Sequence, residues 1–233
     1  MKALIFAAGL GERMRPLTEH TPKPLLPAGG QPLIAWHLDR LAALGVEDVV
    51  VNTSWLAPRF AEVLGDGSRW GLRLHYSYEG DTPLETGGGM LHALPLLGDA
   101  PFIAVNGDIW CDFDFNRLPR QPRGEAHLVV VDNPEHHPGG DFALGEDGRL
   151  LGDGPVKKTF AGIGVYRPCL LAGWQDTVDG PGGEPPRFKL APLLRRAMAR
   201  GLVDGSYHAG AWTDVGTPQR LAALDDALRA RAG

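Results

Sequence analysis

The sequence predicts an α/β fold: a Rossmann-like, mixed but mostly parallel central sheet with helices on both faces, and a smaller antiparallel lobe. Three observations predict it. Through the first 110 residues, short apolar runs alternate with helical stretches, the rhythm of parallel strands joined by crossover helices. Beyond residue 111 the strands come closer together with short turns between them, as antiparallel strands do. The first strand runs into AAGLGERMRPLTEHTPKPL, and ligands of open α/β sheets bind at such strand ends.

In order, KALIFAA reads as a buried strand. PLIAWHLDRLAALG reads as a helix, with Pro32 near its start and Gly45 as its stop. VEDVVVNT is a second strand, PRFAEVLG a helix, LRLHYSYE a strand, GGMLHALPLL a helix and FIAVNGD another strand. In the second half AHLVVVD, a hairpin at DFALGEDGRLL and KTFAGIGVYR read as strands. FKLAPLLRRAMARG and TPQRLAALDDALRA read as helices, the last capped by Thr217 with Pro218 in its first turn. Residues 175–187, QDTVDGPGGEPPR, read as a surface loop that could serve as a lid. A single domain over 1–233 is expected.

Composition narrows the function. The chain has 233 residues, 43% hydrophobic and 22% charged, with a net charge of -5. That is enough chain for a sizeable core and offers no global basic field for nucleic acid or an anionic membrane. Cys111 and Cys169 lack metal-ligand spacing and read as reduced thiols. The apolar run Ala3 to Ala8 is too short for a signal peptide or a membrane span, so a cytoplasmic location is expected.

A phosphate ligand therefore needs a local site. Gly9 and Gly11 open a turn of the dinucleotide type, but Met14 stands where the third glycine of G-x-G-x-x-G belongs, and no P-loop pattern occurs. What remains is a glycine turn followed by Arg13, Arg15 and Lys23. Each alone reads as a solvated charge; together, at the end of a first parallel strand, they read as a polyphosphate cradle. Asp108, in Asn106-Gly107-Asp108, follows a buried strand at the same rim, and Asp214 sits in GAWTDVGTPQRL before a capped helix. Two such carboxylates beside a cradle suggest Mg2+, which takes oxygen ligands and substrate phosphates. His136 and His137 lie in a Pro- and Gly-rich turn and read as solvated; Cys111 reads as a packed small residue.

The string AAGLGERMRPLTEHTPKPLLPAGGQPLI resembles the signature of the sugar-1-phosphate nucleotidylyltransferases, approximately G-x-G-x-R-[ML]-x-P-L-T followed by P-K-P-[LM]. NGD at 106–108 and WTDVGTP at 212–218 are similar to that family's metal-carboxylate motifs, and LETGGG at 84–89 falls at a nucleotide-contacting glycine loop. The resemblance implies a nucleotide-binding half over 1–110 and a sugar-phosphate-binding half over 111–233. It implies catalytic roles for Arg13 and Lys23, with Arg13 on the β- and γ-phosphates and Lys23 on the α-phosphate and the incoming phosphate. Mg2+ would be held by Asp108 and Asp214. Nucleotide contacts are implied for Ala7, Ala8, Gly9, Gly11, Thr86, Gly87 and Gly88, and sugar-phosphate contacts for Asn106, Gly107, Thr159 and Gly162.

LETGGG, VNGDIWCDFDF, VDNPEHHPGGDFAL and FKLAPLL lie outside the general signature and resemble short family members that join UTP to N-acetylmuramic acid 1-phosphate. The implied partners are thus UTP and a sugar 1-phosphate, with no nucleic acid and no membrane. A guanylyltransferase acting on mannose 1-phosphate is the alternative within the family; a non-catalytic sugar-nucleotide-binding subunit is the alternative outside enzymes. The chain departs from the family where many relatives carry Glu-Lys-Pro and it reads GPVKKTFAGIG, which leaves Lys157 and Lys158 without assigned roles, as Glu85 is. No hexapeptide repeats follow, so acetyl transfer is not expected.

Overall fold

The computed structural model describes residues 1–178 and 183–232. After β1 (Ala3–Phe6), a long loop carries the short ladder β2 (Pro27–Ala28) and β3 (Gln31–Pro32). Then α1 (Ala35–Ala43), β4 (Asp48–Thr53), α2 (Pro58–Leu64), β5 (Arg73–Tyr78), α3 (Glu85–Leu97) and β6 (Phe102–Asn106) alternate. The second half runs β7 (Ile109–Cys111), β8 (Ala126–Val131), β9 (Phe142–Leu144), β10 (Leu150–Leu151) and β11 (Lys157–Tyr166). It continues through α4 (Ala191–Ala199), β12 (Val203–Tyr207), β13 (Trp212–Asp214) and α5 (Pro218–Ala232).

Nine strands form one sheet in the order β10-β9-β11-β6-β1-β4-β5, with β8 joined to β11 and β12 to β8. β6, β1, β4 and β5 are mutually parallel, so Asn106, Phe6, Thr53 and Tyr78 end on one rim. β11 pairs antiparallel with β6 and makes the antiparallel half continuous with the parallel one. β12 lies parallel to β8. The sequence hides β12 because Asp204, Gly205 and Ser206 have poor strand propensity. Gly205 fits there for lack of a side chain: a Cβ would lie 2.9 Å from the Leu128 carbonyl oxygen.

β1, β4 and β6 are buried on both faces, which is why they read as apolar runs rather than alternations, whereas the edge strand β5 is only partly covered. Ala3 and Ile5 point into a core with Leu38 and Leu41 of α1 and Phe60 and Leu64 of α2. Leu4 points the other way, with Met90 and Ala93 of α3 and Leu193, Leu194 and Ala197 of α4. Each buried Leu or Ile contributes roughly 2 kcal/mol. A third cluster sets Leu221, Leu224 and Leu228 of α5 against Met14, Ala28, Leu33 and Trp110, so the last helix clamps the loop that follows the first strand. Among the described residues no helix is long and apolar enough to cross a membrane.

His37 of α1 is fully buried, with Nε2 3.0 Å from the Ile109 carbonyl oxygen at the start of β7. Burial first, and the Arg40 charge second, push its pKa down from 6.5 to about 4. The unfolded chain therefore binds more protons than the native one between pH 6.5 and 4. Stability is full above that window and falls as the pH drops through it. The depression corresponds to roughly 3 kcal/mol. His37→Gln keeps an N–H donor for Ile109 but cannot titrate, so its urea-unfolding stability is expected to lose the acid slope over this window. Parallel curves for the two proteins would contradict the assignment.

Candidate active site

The strand ends on the shared rim open a cleft of about 470 Å³. Phe6, Ala7, Ala8 and Gly9 line it, and a Cβ at Gly9 would meet nothing within 4 Å. The backbone there is open to a ligand.

Gly11 starts the turn that aims the first cation. Its φ is +66°, in the left-handed region where glycine is favoured, and its carbonyl accepts from Thr18 Oγ1 at 2.7 Å and from the Met14 N–H at 2.8 Å. Met14 is buried under α5, so Arg13, beside it, is left exposed in the cleft wall. The side chain that replaces the third glycine is thus an anchor. Lys23 is 9% exposed, and its Nζ donates to Asp108 Oδ2 at 2.6 Å.

Asp108 and Asp214 come together through a separate ladder. β7 follows directly on Asp108 and pairs antiparallel with β13, with Asp214 opposite Ile109. The Val215 N–H donates to the Asp108 carbonyl at 2.8 Å. Each carboxylate has a cation: Lys23 for Asp108, and for Asp214 the Arg220 guanidinium at 2.5 Å. His136 Nε2 also lies 3.0 Å from Asp214 Oδ1. The ladder sets the two backbones side by side, with Asp108 lining the cleft and the Asp214 carboxylate turned to Arg220 and His136 outside its lining. Hard oxygen donors placed in this way fit Mg2+.

A second polar system stiffens the far wall. Buried Asn52, in β4, accepts from the Ala7 N–H at 2.5 Å and donates to Glu79 Oε1 at 2.6 Å, while Glu79 Oε2 accepts from the Leu84 N–H at 2.7 Å. The relay binds the ends of β1, β4 and β5 to the start of α3. Burial pushes the Glu79 pKa up, and the Leu84 and Asn52 donors oppose it. Gly89 makes room for the relay, because a Cβ there would lie 2.4 Å from Glu79 Oε1.

Residues 2–142 match the nucleotidyl transferase family model. The chain belongs to the nucleotidyl transferase family. It is 46% identical over 230 residues, 95% of each chain, to an N-acetylmuramate alpha-1-phosphate uridylyltransferase of Neisseria meningitidis. A protein of the same description from Caulobacter vibrioides is 38% identical, over 97% of this chain and 96% of that one. A mannose-1-phosphate guanylyltransferase of Mycobacterium tuberculosis is 31% identical, over 93% of this chain and 61% of the relative. The fold matches a Bacillus anthracis crystal structure described as a glucose-1-phosphate thymidylyltransferase. The TM-score is 0.83 at 19% identity, covering 98% of this chain and 95% of that one.

Within this nucleotidyl transferase, the expected nucleotide residues Ala7, Ala8, Gly9, Gly11 and Thr86 line the cleft with Arg13, Lys23, Asn106 and Asp108. Gly87 and Gly88 do not. LETGGG is the first turn of α3 rather than a loop, and both N–H groups donate to the Phe188 carbonyl, at 2.9 and 3.0 Å. A Cβ on Gly87 would lie 2.5 Å from the Phe188 ring, and one on Gly88 2.3 Å from the Pro186 carbonyl oxygen. These glycines admit the 186–188 segment. Gly107 is likewise a packing residue, its absent Cβ 2.8 Å from the Phe6 carbonyl oxygen. The lid expectation for 175–187 falls partly on residues 179–182, outside the described residues.

On the other side, Gly162 has φ +76° and abuts the Asn106 side chain at a shift of register in β11. Thr159 is buried and donates to Asn133 Oδ1 at 2.9 Å, so its hydroxyl proton is committed to the protein. Neither histidine of the 136–137 pair is simply solvated: His136 reaches Asp214, and His137 Nε2 lies 3.1 Å from Asp141. Asn52, Glu79, Asp81, Thr82, Arg187, His136 and Arg220 are the site's unforeseen residues. Only the Glu79-to-Thr86 stretch, polar after a strand end, carries a sequence signal for them.

Gly88→Ala is expected to lower stability by about 1–3 kcal/mol, because the methyl group must displace backbone at Pro186. Its thermal midpoint should fall, and the loss should be the same with and without bound nucleotide. A normal midpoint with weakened UTP binding would instead make Gly88 a nucleotide contact.

Proposed function

We propose that this nucleotidyl transferase joins UTP and N-acetylmuramic acid 1-phosphate to give UDP-N-acetylmuramic acid and pyrophosphate, with Mg2+ as cofactor. The observation that carries the reaction class is the Lys23–Asp108 pair at the rim of β1 and β6, with Arg13 in the same cleft wall. The substrate choice is supported by the 46% and 38% identities to uridylyltransferases of that description, over nearly the whole chain. The guanylyltransferase alternative rests on lower identity and on a longer relative.

Two polyanions react here, so catalysis rests on holding them in line and neutralising charge. An oxygen of the sugar phosphate forms a bond to the α-phosphorus. The bond from that phosphorus to the bridging oxygen breaks, and its electron pair leaves with pyrophosphate. The attacking phosphate is already ionised, so no protein base is needed. Arg13 holds the outer phosphates, and Lys23 meets the charge developing on the α-phosphate. Asp108 and Asp214 hold Mg2+, which supplies Lewis-acid neutralisation of the phosphate oxygens. The nucleotide occupies the half formed by residues 1–110, helped by Arg187, and the sugar phosphate lies toward Asn106, Gly162 and the 111–233 half.

Pyrophosphate release should be greatest for UTP with N-acetylmuramic acid 1-phosphate among pairings of UTP, GTP, dTTP, CTP and ATP with four sugar 1-phosphates. Those are the 1-phosphates of N-acetylmuramic acid, N-acetylglucosamine, glucose and mannose. Asp214→Asn and Lys23→Ala should each lower kcat by about 100-fold or more, as loss of one electrostatic group does. Preferred turnover of GTP with mannose 1-phosphate would overturn the substrate assignment. Binding without release in the wild type would overturn the catalytic one.

A further inference from the structure

The far end of the ribbon that carries the two carboxylates holds a cluster the transferase reaction does not use. Cys111 ends β7, Asp112 follows it, and His208 arrives from the end of β12, 97 residues on by number. The thiol sulfur, one carboxylate oxygen and one imidazole nitrogen all lie within 4.8 Å of one another. His208 Nε2 is 2.8 Å from Asp112 Oδ1. Backbone bonds fix both partners: the Asp112 N–H donates to Ala211 O at 3.0 Å, and the His208 N–H to Val130 O at 2.9 Å.

Two further features match a thiolate metal ligand. The Phe113 N–H donates to Cys111 Sγ at 3.2 Å, a bond that orients the sulfur and partly offsets the burial that pushes its pKa up. The Phe113 ring meets the His208 ring edge-on at 5.4 Å and restricts its rotation. At Gly210 a Cβ would lie 2.4 Å from Asp112 Oδ1 and 2.6 Å from His208 Nε2, so only glycine lets the carboxylate and the imidazole sit together.

We propose that Cys111, Asp112 and His208 form a zinc site, distinct from the Mg2+ carboxylates and independent of the transferase reading. Sulfur, nitrogen and oxygen in one set of three is a zinc combination that leaves a fourth, tetrahedral position for water. Ligand atoms around tetrahedral zinc stand about 3.3–3.8 Å apart at the usual bond lengths, so the imidazole–carboxylate pair, now 2.8 Å apart, opens slightly around the metal, and the sulfur is already within 4.8 Å of both. A soft thiolate selects against Mg2+, and this allows both metals to be held on one ribbon. On binding, the sulfur–hydrogen bond of Cys111 is replaced by a sulfur–zinc bond and the proton passes to water. Zinc would then tie the end of β7 to the turn after β12.

Metal-stripped full-length protein, titrated with Co2+ in millimolar Mg2+, tests the site. One equivalent should produce the near-ultraviolet thiolate-to-cobalt charge-transfer band, and Zn2+ should abolish it. Cys169 is the other free thiol and is exposed, so Cys169→Ser should keep the band. His208→Ala should weaken Zn2+ binding more than about 100-fold, with folding checked by circular dichroism. Asp112→Asn, at a partly exposed side chain, should weaken it by about tenfold or more and serves if the histidine variant does not fold. No band in the wild type, a band lost with Cys169, or unchanged zinc affinity in Asp112→Asn would overturn the proposal.

Discussion

The ion pair between Lys23 and Asp108, 2.6 Å long, fastens the loop after β1 to the end of β6. Lys23 is nearly buried, with its side chain 11% exposed against 41% for Asp108. A buried ammonium is tolerated only beside an opposite charge, so removing the carboxylate strands it. Whatever displaces Asp108 from Lys23 must bring its own negative charge, and a triphosphate does. The loop can make this offer because α5 seats Met14 and Leu33 beneath it.

Parallel pairing places the other parts. β6, β1, β4 and β5 run the same way in register, so residues distant in sequence finish side by side. Charge collects on one side of the rim in Arg13, Lys23 and Asp108; the Asn52–Glu79 relay sits on the other and holds shape. In the relay Asn52 and Glu79 use four polar atoms on one another, Ala7 and Leu84. A satisfied buried network of that kind rigidifies the wall. Rigid walls matter for a reaction whose catalysis is mostly positioning.

Much of this was legible in the sequence because it was local. Runs such as ALIF and VVV announce strands buried on both faces, and Gly11, Arg13 and Lys23 fall within one loop. The rest depended on contacts made across long separations. Gly87 and Gly88 look like ligand glycines, yet their missing side chains accommodate Pro186 and Phe188, a hundred residues away by number. His136 in a polar turn reads as solvated until β13 brings Asp214 to it. Nothing local marks Asn52 as more than a polar strand end. His208 does not stand near Cys111 in sequence, and β12 is held as a strand by its neighbour β8 rather than by its own residues.

The exchange at Lys23 is the centre of this account, and UTP affinity with and without Mg2+, measured by calorimetry in the wild type and in Asp108→Asn, tests it most directly. Without Mg2+, the variant should bind UTP at least as tightly as the wild type, because Lys23 no longer has a carboxylate to give up. Adding Mg2+ should tighten the wild type strongly and the variant little. An equal response to Mg2+ in both proteins, or UTP binding lost in the variant at all Mg2+ concentrations while the fold persists, would contradict the account.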